Sequence, residues 1–249
     1  MPKEPVVIVI PIYKAILSAD ELASLQQCIK ILKKHPIVFF GSDKLDVTVY
    51  KNALAGEIPF NIEYFDDVYF KNIDGYNKLM LSTSFYERFK KYQYMLIYQL
   101  DAWVFTDELQ YWCNKGYDYI GAPWIDADWC AYCASHITLT RRIAGKLGYT
   151  NFNLVGNGGF SLRKISSFLF NLKLFSKKVK SFDLNEDFFY SYFINSYNVF
   201  FKVAPFNEAL KFSFEVKPEM LLEQNNGKLP FGCHAWLKRI DFWQDYISI

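Results

Sequence analysis

The sequence has little of what would place it in several large functional classes. Its charge is nearly balanced: 28 lysines and arginines against 26 acids leave a formal charge of +2. That gives no broad field for binding nucleic acid. No apolar run reaches the roughly 18 residues that a membrane-spanning helix needs. The run from Val6 to Ile10 is short and closes at Pro11, so it reads as a buried strand rather than a secretory segment. The cytoplasm is the expected location. The five cysteines, Cys28, Cys113, Cys130, Cys133 and Cys233, are odd in number in a chain that is 51% hydrophobic, which argues against a disulfide framework. Cys130 and Cys133 have zinc-ligand spacing, but no second such pair follows, and a structural zinc needs four ligands. No repeat, low-complexity tract or Gly/Ser linker divides the 249 residues. One α/β domain over 1–249 is expected.

What is present alternates. Val6–Ile10 is a continuous apolar run of the kind found in central parallel strands. Ser18 with Glu21 has the pattern of a capping box for a helix whose apolar face carries Leu22, Leu25, Cys28, Ile29 and Leu32. Strands follow at Ile37–Phe40 and over 58–65, a helix over 76–90, and a fourth apolar strand from Tyr94 that ends on Asp101. A βαβαβαβ opening of this kind predicts an open, mostly parallel central sheet flanked by helices, with ligands beyond the carboxyl ends of its strands. The second half is less regular. A short strand is expected within 117–121, loop and helix over 126–150, and a glycine turn feeding a strand over 156–163. A helix begins near Lys164, another is capped by Asn185 and runs to about Ile194, and short strands lie at 200–203 and 212–215.

Several residues could carry chemistry. Asp101 directly follows a buried strand, where a carboxylate meets either a cation or hydrogen-bond donors. His234 is one of only three histidines and lies in an aromatic stretch; it is either a metal ligand or a satisfied core imidazole. Glu186 and Asp187 open a helix, where an acid serves as a general base or simply as a cap. Gly156-Asn157-Gly158-Gly159 is either a close approach to a ligand or an ordinary tight turn with positive φ. It has neither dinucleotide nor P-loop spacing. Lys78 is either a diphosphate contact or a solvated surface charge. Residues 163–180 mix Arg163, Lys164, Lys173, Lys177, Lys178 and Lys180 with Phe168, Leu169, Phe170, Leu174 and Phe175. Such a segment is either an ordinary solvated helix or a weak peripheral contact with the inner face of a membrane.

These pieces recur in a recognisable order: Tyr76-Asn-Lys, Gln99-Leu-Asp, Asp118-Tyr-Ile-Gly-Ala-Pro-Trp124, Gly156-Asn-Gly-Gly-Phe-Ser-Leu-Arg163, Asn185-Glu-Asp and Phe231-Gly-Cys-His-Ala-Trp236. The series resembles a family of GT-A-type glycosyltransferase domains first catalogued as a domain of unknown function. The resemblance spans residues 6 to 236. It implies a GT-A-like fold, with residues 1–110 as a nucleotide-binding half and 111–249 as an acceptor and catalytic half. It implies transfer of a sugar from a nucleotide-diphosphate sugar to the hydroxyl of a glycan or glycolipid acceptor, in surface-polysaccharide or lipopolysaccharide synthesis. The cofactor implied is Mn²⁺ or Mg²⁺, held by Asp101 and His234, with Gln99 in the place of the first acid of an Asp-x-Asp motif. Pro11, Tyr13, Ser42, Asp43 and Lys78, with Gln99 and Asp101, would hold the donor. Trp124, Asn157, Gly158 and Gly159 would hold the sugar or acceptor. Asp187 would be the base of an inverting reaction and Glu186 the runner-up. The alternatives are a retaining transferase, a non-catalytic nucleotide-sugar-binding domain and a sugar nucleotidyltransferase. The last expects a glycine- and basic-rich loop after the first strand, and Ile10–Ile16 contains no glycine.

Overall fold

In the computed structural model, residues 3–54, 59–148 and 153–247 are described. Strand β1, Glu4–Ile12, is buried from Val6 onward. Its side chains alternate between two cores: Val6, Ile8, Ile10 and Ile12 face one, Val7 and Val9 the other. A strand covered on both faces must be apolar at consecutive positions, which is why the run does not alternate with polar residues. The helix Ala19–Leu32 starts at the expected capping box. Ser18 Oγ accepts from Glu21 N at 3.2 Å, and Ser18 N donates to Glu21 Oε2 at 2.8 Å.

Five more strands complete the main sheet: β2 (Ile37–Ser42), β3 (Phe60–Phe65), β4 (Tyr92–Tyr98), β6 (Tyr119–Ile120) and β7 (Phe160–Lys164). Their order is β3-β2-β1-β4-β7-β6. The first four are parallel, while β7 runs antiparallel to both β4 and β6. Three two-residue strands, β5 (Trp103–Val104), β8 (Ser213–Phe214) and β9 (Gly232–Cys233), form a second sheet in the order β5-β9-β8. This small sheet packs through Trp103, Phe214, Cys233, Trp236 and Trp243.

Several expectations are revised. The helix expected over 76–90 is two helices, Ile73–Met80 and Thr83–Arg88. Ser82 divides them, because its hydroxyl accepts from Phe85 N at 3.2 Å and caps the second helix. No strand forms at 200–203; Val203 makes only an isolated bridge to Tyr119. Phe212 closes the helix Phe206–Phe212 and leaves β8 only two residues. The stretch over 126–150 contains helices Ala127–Ser135 and Leu139–Lys146; Ile58 and residues 149 and 150 lie outside the described residues. The helix expected from Asn185 begins as Glu186–Phe188, widens to a π-helix over Phe189–Ile194 and ends as Asn195–Tyr197. Such π segments recur at functional sites. All five cysteines are free. Among the described residues no helix is long and apolar enough to cross a membrane.

Candidate active site

Strand register assembles the site. Tyr98 of β4 pairs with Phe160 of β7, which puts Gln99 beside Gly159; Gln99 N donates to Gly159 O at 2.8 Å. Gln99-Leu100-Asp101 then turns the chain out of the main sheet into β5. Trp103 pairs antiparallel with Cys233, and Phe214 pairs in parallel with Cys233. The residues just beyond these pairs, Asp101, His234 and Glu215, therefore converge at one end of the small sheet. His234 N donates to Phe214 O at 3.0 Å, and Trp236 N to Asp101 O at 3.3 Å, which fixes the backbone on either side.

His234 sits between two carboxylates. Nδ1 is 3.0 Å from Glu215 Oε1, and Nε2 is 3.1 Å from Asp101 Oδ1 and 3.3 Å from Gln99 Oε1. Burial opposes a charge on the ring, but the two carboxylates more than offset it and push the imidazole up to about 9. For Asp101, burial alone would raise the carboxyl; the hydrogen bond and charge of His234 outweigh it and hold it below its usual range. Gly159 faces this ring. A Cβ there would lie 2.0 Å from His234 Nε2, far inside any real contact.

Across the cleft stands a buried ion pair. Arg163, on β7 and 0% exposed, donates from Nη2 to Glu186 Oε1 at 2.8 Å, and Glu186 is 2% exposed. Arg163 also donates to Tyr86 Oη at 3.0 Å and Ser161 Oγ at 3.1 Å, and it lies over the Tyr119 and Phe168 rings. It is thus withdrawn from the basic surface expected over 163–180. Glu186 Oε2, the oxygen that Arg163 does not take, has no hydrogen-bond partner among the described residues. A Cβ on Gly158 would meet Glu186 Oε1 at 2.8 Å, so any larger residue there would have to displace the carboxylate that Arg163 holds. Asp187, half-buried, is pushed up from 3.8 to about 7. Burial is the main cause and the Glu186 carboxylate adds to it; the Phe188 N–H donated to Asp187 Oδ1 at 2.8 Å opposes them.

A cavity of about 580 Å³ joins the two groups. It is lined by Tyr13, Phe70, Tyr76, Asn77, Gln99, Gly158, Gly159, Glu186, Asp187, His234 and Lys238, among others. Pro11, Tyr13, Gln99 and Asp101 line a second cavity of about 220 Å³, together with Lys14, Glu21 and Tyr50. The two share Tyr13 and Gln99 and lie beyond the carboxyl ends of β1 and β4. The structure therefore brings together Pro11, Tyr13, Gln99, Asp101, Gly158, Gly159, Glu186, Asp187 and His234.

Other expected residues lie elsewhere. Ser42 donates to Asp67 Oδ1 at 2.8 Å and accepts from Lys44 N, while Asp43 is exposed outside both cavities. Lys78 lines an adjoining hollow with Asp74, Leu81, Phe182, Asp183 and Leu184, which shares Asn77 with the main cavity. Trp124 is outside the main cavity, with Nε1 donating to Gly156 O at 3.1 Å. Asn157 is buried, and its side-chain Oδ1 accepts from Gly159 N at 2.8 Å and Phe160 N at 3.2 Å, holding the turn. That turn does not use positive φ, which among the described glycines occurs at Gly116, Gly148 and Gly227, and otherwise at Lys217, Asn226 and Ala235. Its glycines are there for close approach. Asn185 does not cap its helix; Asn77 Oδ1, from over a hundred positions away, accepts from Glu186 N at 3.2 Å.

Sequence reasoning missed Glu215, Arg163 as an ion-pair partner, Asn77, Tyr76 and Lys238. Arg163 left a signal, since an arginine closing the apolar strand Phe160-Ser-Leu needs a buried counter-charge, and Tyr76 and Asn77 stood in the Tyr76-Asn-Lys string without a role. The donor types meeting at His234 Nε2, one carboxylate oxygen, one amide oxygen and one imidazole nitrogen, suit Mn²⁺ better than a soft metal. They form only a partial set. Among the described residues no three His, Cys, Asp or Glu side chains are grouped to hold an ion, so water or a bound ligand would have to complete the set.

A mostly parallel sheet with an antiparallel strand beside its centre, and polar residues gathered at the strand ends, defines a GT-A-type fold. Mouse xyloside xylosyltransferase 1 in its apo form shares it, with a TM-score of 0.52 at 10% identity over 93% of this chain and 97% of that one. Core-mannan synthase A from Aspergillus fumigatus, solved in a Mn/GDP form, shares it with a TM-score of 0.50 at 11% identity over 82% and 73%. At these identities the likeness is one of fold. The chain belongs to the family described as Protein of unknown function (DUF5672), whose profile matches residues 59–234. No curated protein matches its sequence.

Proposed function

We propose that the protein transfers a sugar from a nucleotide-diphosphate sugar to an acceptor hydroxyl with inversion. One observation carries the reading: Gln99, His234, Glu186 and Asp187, from distant parts of the chain, line one cavity at the carboxyl edge of the sheet. Residues 1–110 hold the nucleotide, whose subsite narrows to Pro11, Tyr13, Tyr50 and Asp101. Asp101 and His234, with Gln99, would hold Mn²⁺ or Mg²⁺ once the His234 ring has lost its Nε2 proton, and the ion would supply charge neutralisation to the leaving diphosphate. Glu215 orients His234 through Nδ1. Lys238, rather than Lys78, adds a positive charge at the cavity. Residues 111–249 hold the acceptor.

Asp187 removes the proton from the acceptor hydroxyl as its oxygen bonds to the anomeric carbon. The bond from that carbon to the diphosphate breaks on the opposite face, and the diphosphate leaves with the electron pair. A carboxyl titrating near 7 suits a base working at neutral pH. Glu186, fixed by Arg163, positions the acceptor and is the second choice of base. The setting we infer is cytoplasmic assembly of a surface polysaccharide or lipopolysaccharide. A weak membrane contact is inferred through exposed Phe170 and Leu174 with Lys177 and Lys180. Gln99 in place of an acid favours one second reading, donor binding without transfer. Incubation with a panel of nucleotide sugars and Mn²⁺ tests both: release of nucleoside diphosphate supports transfer, and binding without release selects the second reading.

A further inference from the structure

The aromatic side chains beside Asp187 form a row that the transfer chemistry leaves unused. Phe188 follows the proposed base directly, and Trp124 lies parallel to it, 9° apart in plane with centroids at 6.1 Å. Trp129 packs on Phe188 at 5.5 Å, and Tyr132 stacks on Trp129 at 5.6 Å and 14°. The inner end is anchored. Trp124 is tied by Nε1 to Gly156 O, in the turn whose Gly158 and Gly159 line the cavity. The outer end is partly exposed, Trp129 by 41% and Tyr132 by 53%, with the His136 ring packed on Tyr132 at 4.2 Å. The row thus runs to the surface from Phe188, next to the base, and adjoins the candidate active site through Phe188 and the 156–159 turn rather than lining its cavity.

Its position is built rather than incidental. Asp126 Oδ1 accepts from Trp129 N at 2.8 Å and starts the helix Ala127–Ser135, which puts Trp129 and Tyr132 on one helical face, three residues apart. Flat, rigid aromatic faces bury area at low entropic cost, and the C–H face of a pyranose is the apolar surface that matches them. The charge around the row selects among occupants. The helix and its cap contribute Asp126 and Asp128, Glu186 and Asp187 stand at the inner end, and Arg142 donates to Ser135 O at the helix's last residue. Four acidic side chains against that one cation disfavour an anionic lipid surface or an acidic glycan, whereas the hydroxyls of a neutral sugar can donate to the carboxylates.

We propose that Trp129 and Tyr132, backed by Phe188 and Trp124, bind a neutral sugar residue of the acceptor, one unit beyond the residue whose hydroxyl faces Asp187. That the ligand is an acceptor rests on the transfer reading; that it is a neutral glycan rests on the row itself. The test therefore uses no donor. Binding of an array of neutral oligosaccharides, with the matching monosaccharides, is measured for the full chain and for Trp129→Ala, Tyr132→Ala and Trp129→Phe, each checked for an unchanged melting curve. At least one oligosaccharide should bind more tightly than its monosaccharide, and each alanine variant should weaken it by about tenfold, while Trp129→Phe keeps most of the affinity. Absence of oligosaccharide binding, or equal binding by Trp129→Ala, overturns the proposal. So does a Trp129-dependent self-association or vesicle binding in its place. Trp129-dependent glycan binding in a protein that turns over no nucleotide sugar would reject the transfer reading and leave this subsite standing.

Discussion

Asp187→Asn perturbs both stability and rate, and both effects can be worked from the site. The Asp187 carboxyl moves from 3.8 to about 7 because it is half-buried beside Glu186. Three pH units correspond to about 4 kcal/mol of differential interaction between its two protonation states. The folded-state value is raised above the unfolded one, so folding favours the protonated acid. The cost of ionisation is absent below the unfolded value, near 4, grows as pH rises and is complete above about 7. Asparagine cannot ionise and escapes that cost. Asp187→Asn should therefore be more stable than the parent at pH 8, by at most about 4 kcal/mol, and the advantage should shrink by roughly 2–3 kcal/mol on going to pH 5. In a chain of this length that shrinkage is a change of roughly 5–10 °C in the gap between the two melting temperatures. Turnover moves the other way: the variant should lose roughly 10²–10⁴-fold, the span of a positioned base. In the parent, turnover should fall about tenfold from pH 8 to pH 6 as Asp187 takes up its proton. Thermal melts from pH 5 to 8 read the first effect and initial rates the second. A stability gap that is absent at pH 8, or flat with pH, would refute the burial argument. Wild-type turnover in Asp187→Asn would pass the role of base to Glu186 or remove it.

Asp101→Ala and His234→Ala should each nearly abolish nucleotide-sugar turnover, and excess chelator should do so reversibly; full activity in chelator would remove the metal from the account. Arg163→Met leaves the Glu186 carboxylate buried without its counter-charge and should cost roughly 3–5 kcal/mol of stability, read by urea unfolding, with part of the loss recovered when Glu186→Gln is added. The full chain should co-sediment with anionic liposomes at low salt and less at physiological salt; no binding at either would end the membrane contact through Phe170 and Leu174.

The parts of this fold legible in the sequence were those fixed by local patterns. The unbroken apolar run of β1 announced a strand covered on both faces, and Ser18 with Glu21 announced a helix start. The glycines at 156, 158 and 159 were legible as a special backbone, though for a different reason: no positive φ is used, and instead the side chains of His234, Glu186 and Ser191 occupy the space a Cβ would need. The parts that were hidden depend on pairings between distant segments. Glu215 reaches His234 only because β8 and β9, two residues each, run side by side, and two-residue strands carry no period to read. Asn77 capping the helix at Glu186 is likewise a tertiary replacement for the local cap that Asn185 suggested. The burial that moves Asp187 to about 7 depends on the packing of the whole cleft, which its position at a helix start does not reveal.

The central claim is inverting glycosyl transfer at the cleft of Gln99, His234, Glu186 and Asp187. A proton NMR time course tests it most directly, run with the protein, Mn²⁺ and the donor found by the nucleotide-sugar panel, with the anomeric proton followed as nucleoside diphosphate appears. The account predicts that an α-linked donor gives a β-configured first product, and that His234→Ala shows neither nucleoside diphosphate nor product. A first product that keeps the donor's configuration would contradict inversion and the role of Asp187 as base. Turnover undiminished in His234→Ala would contradict the site itself.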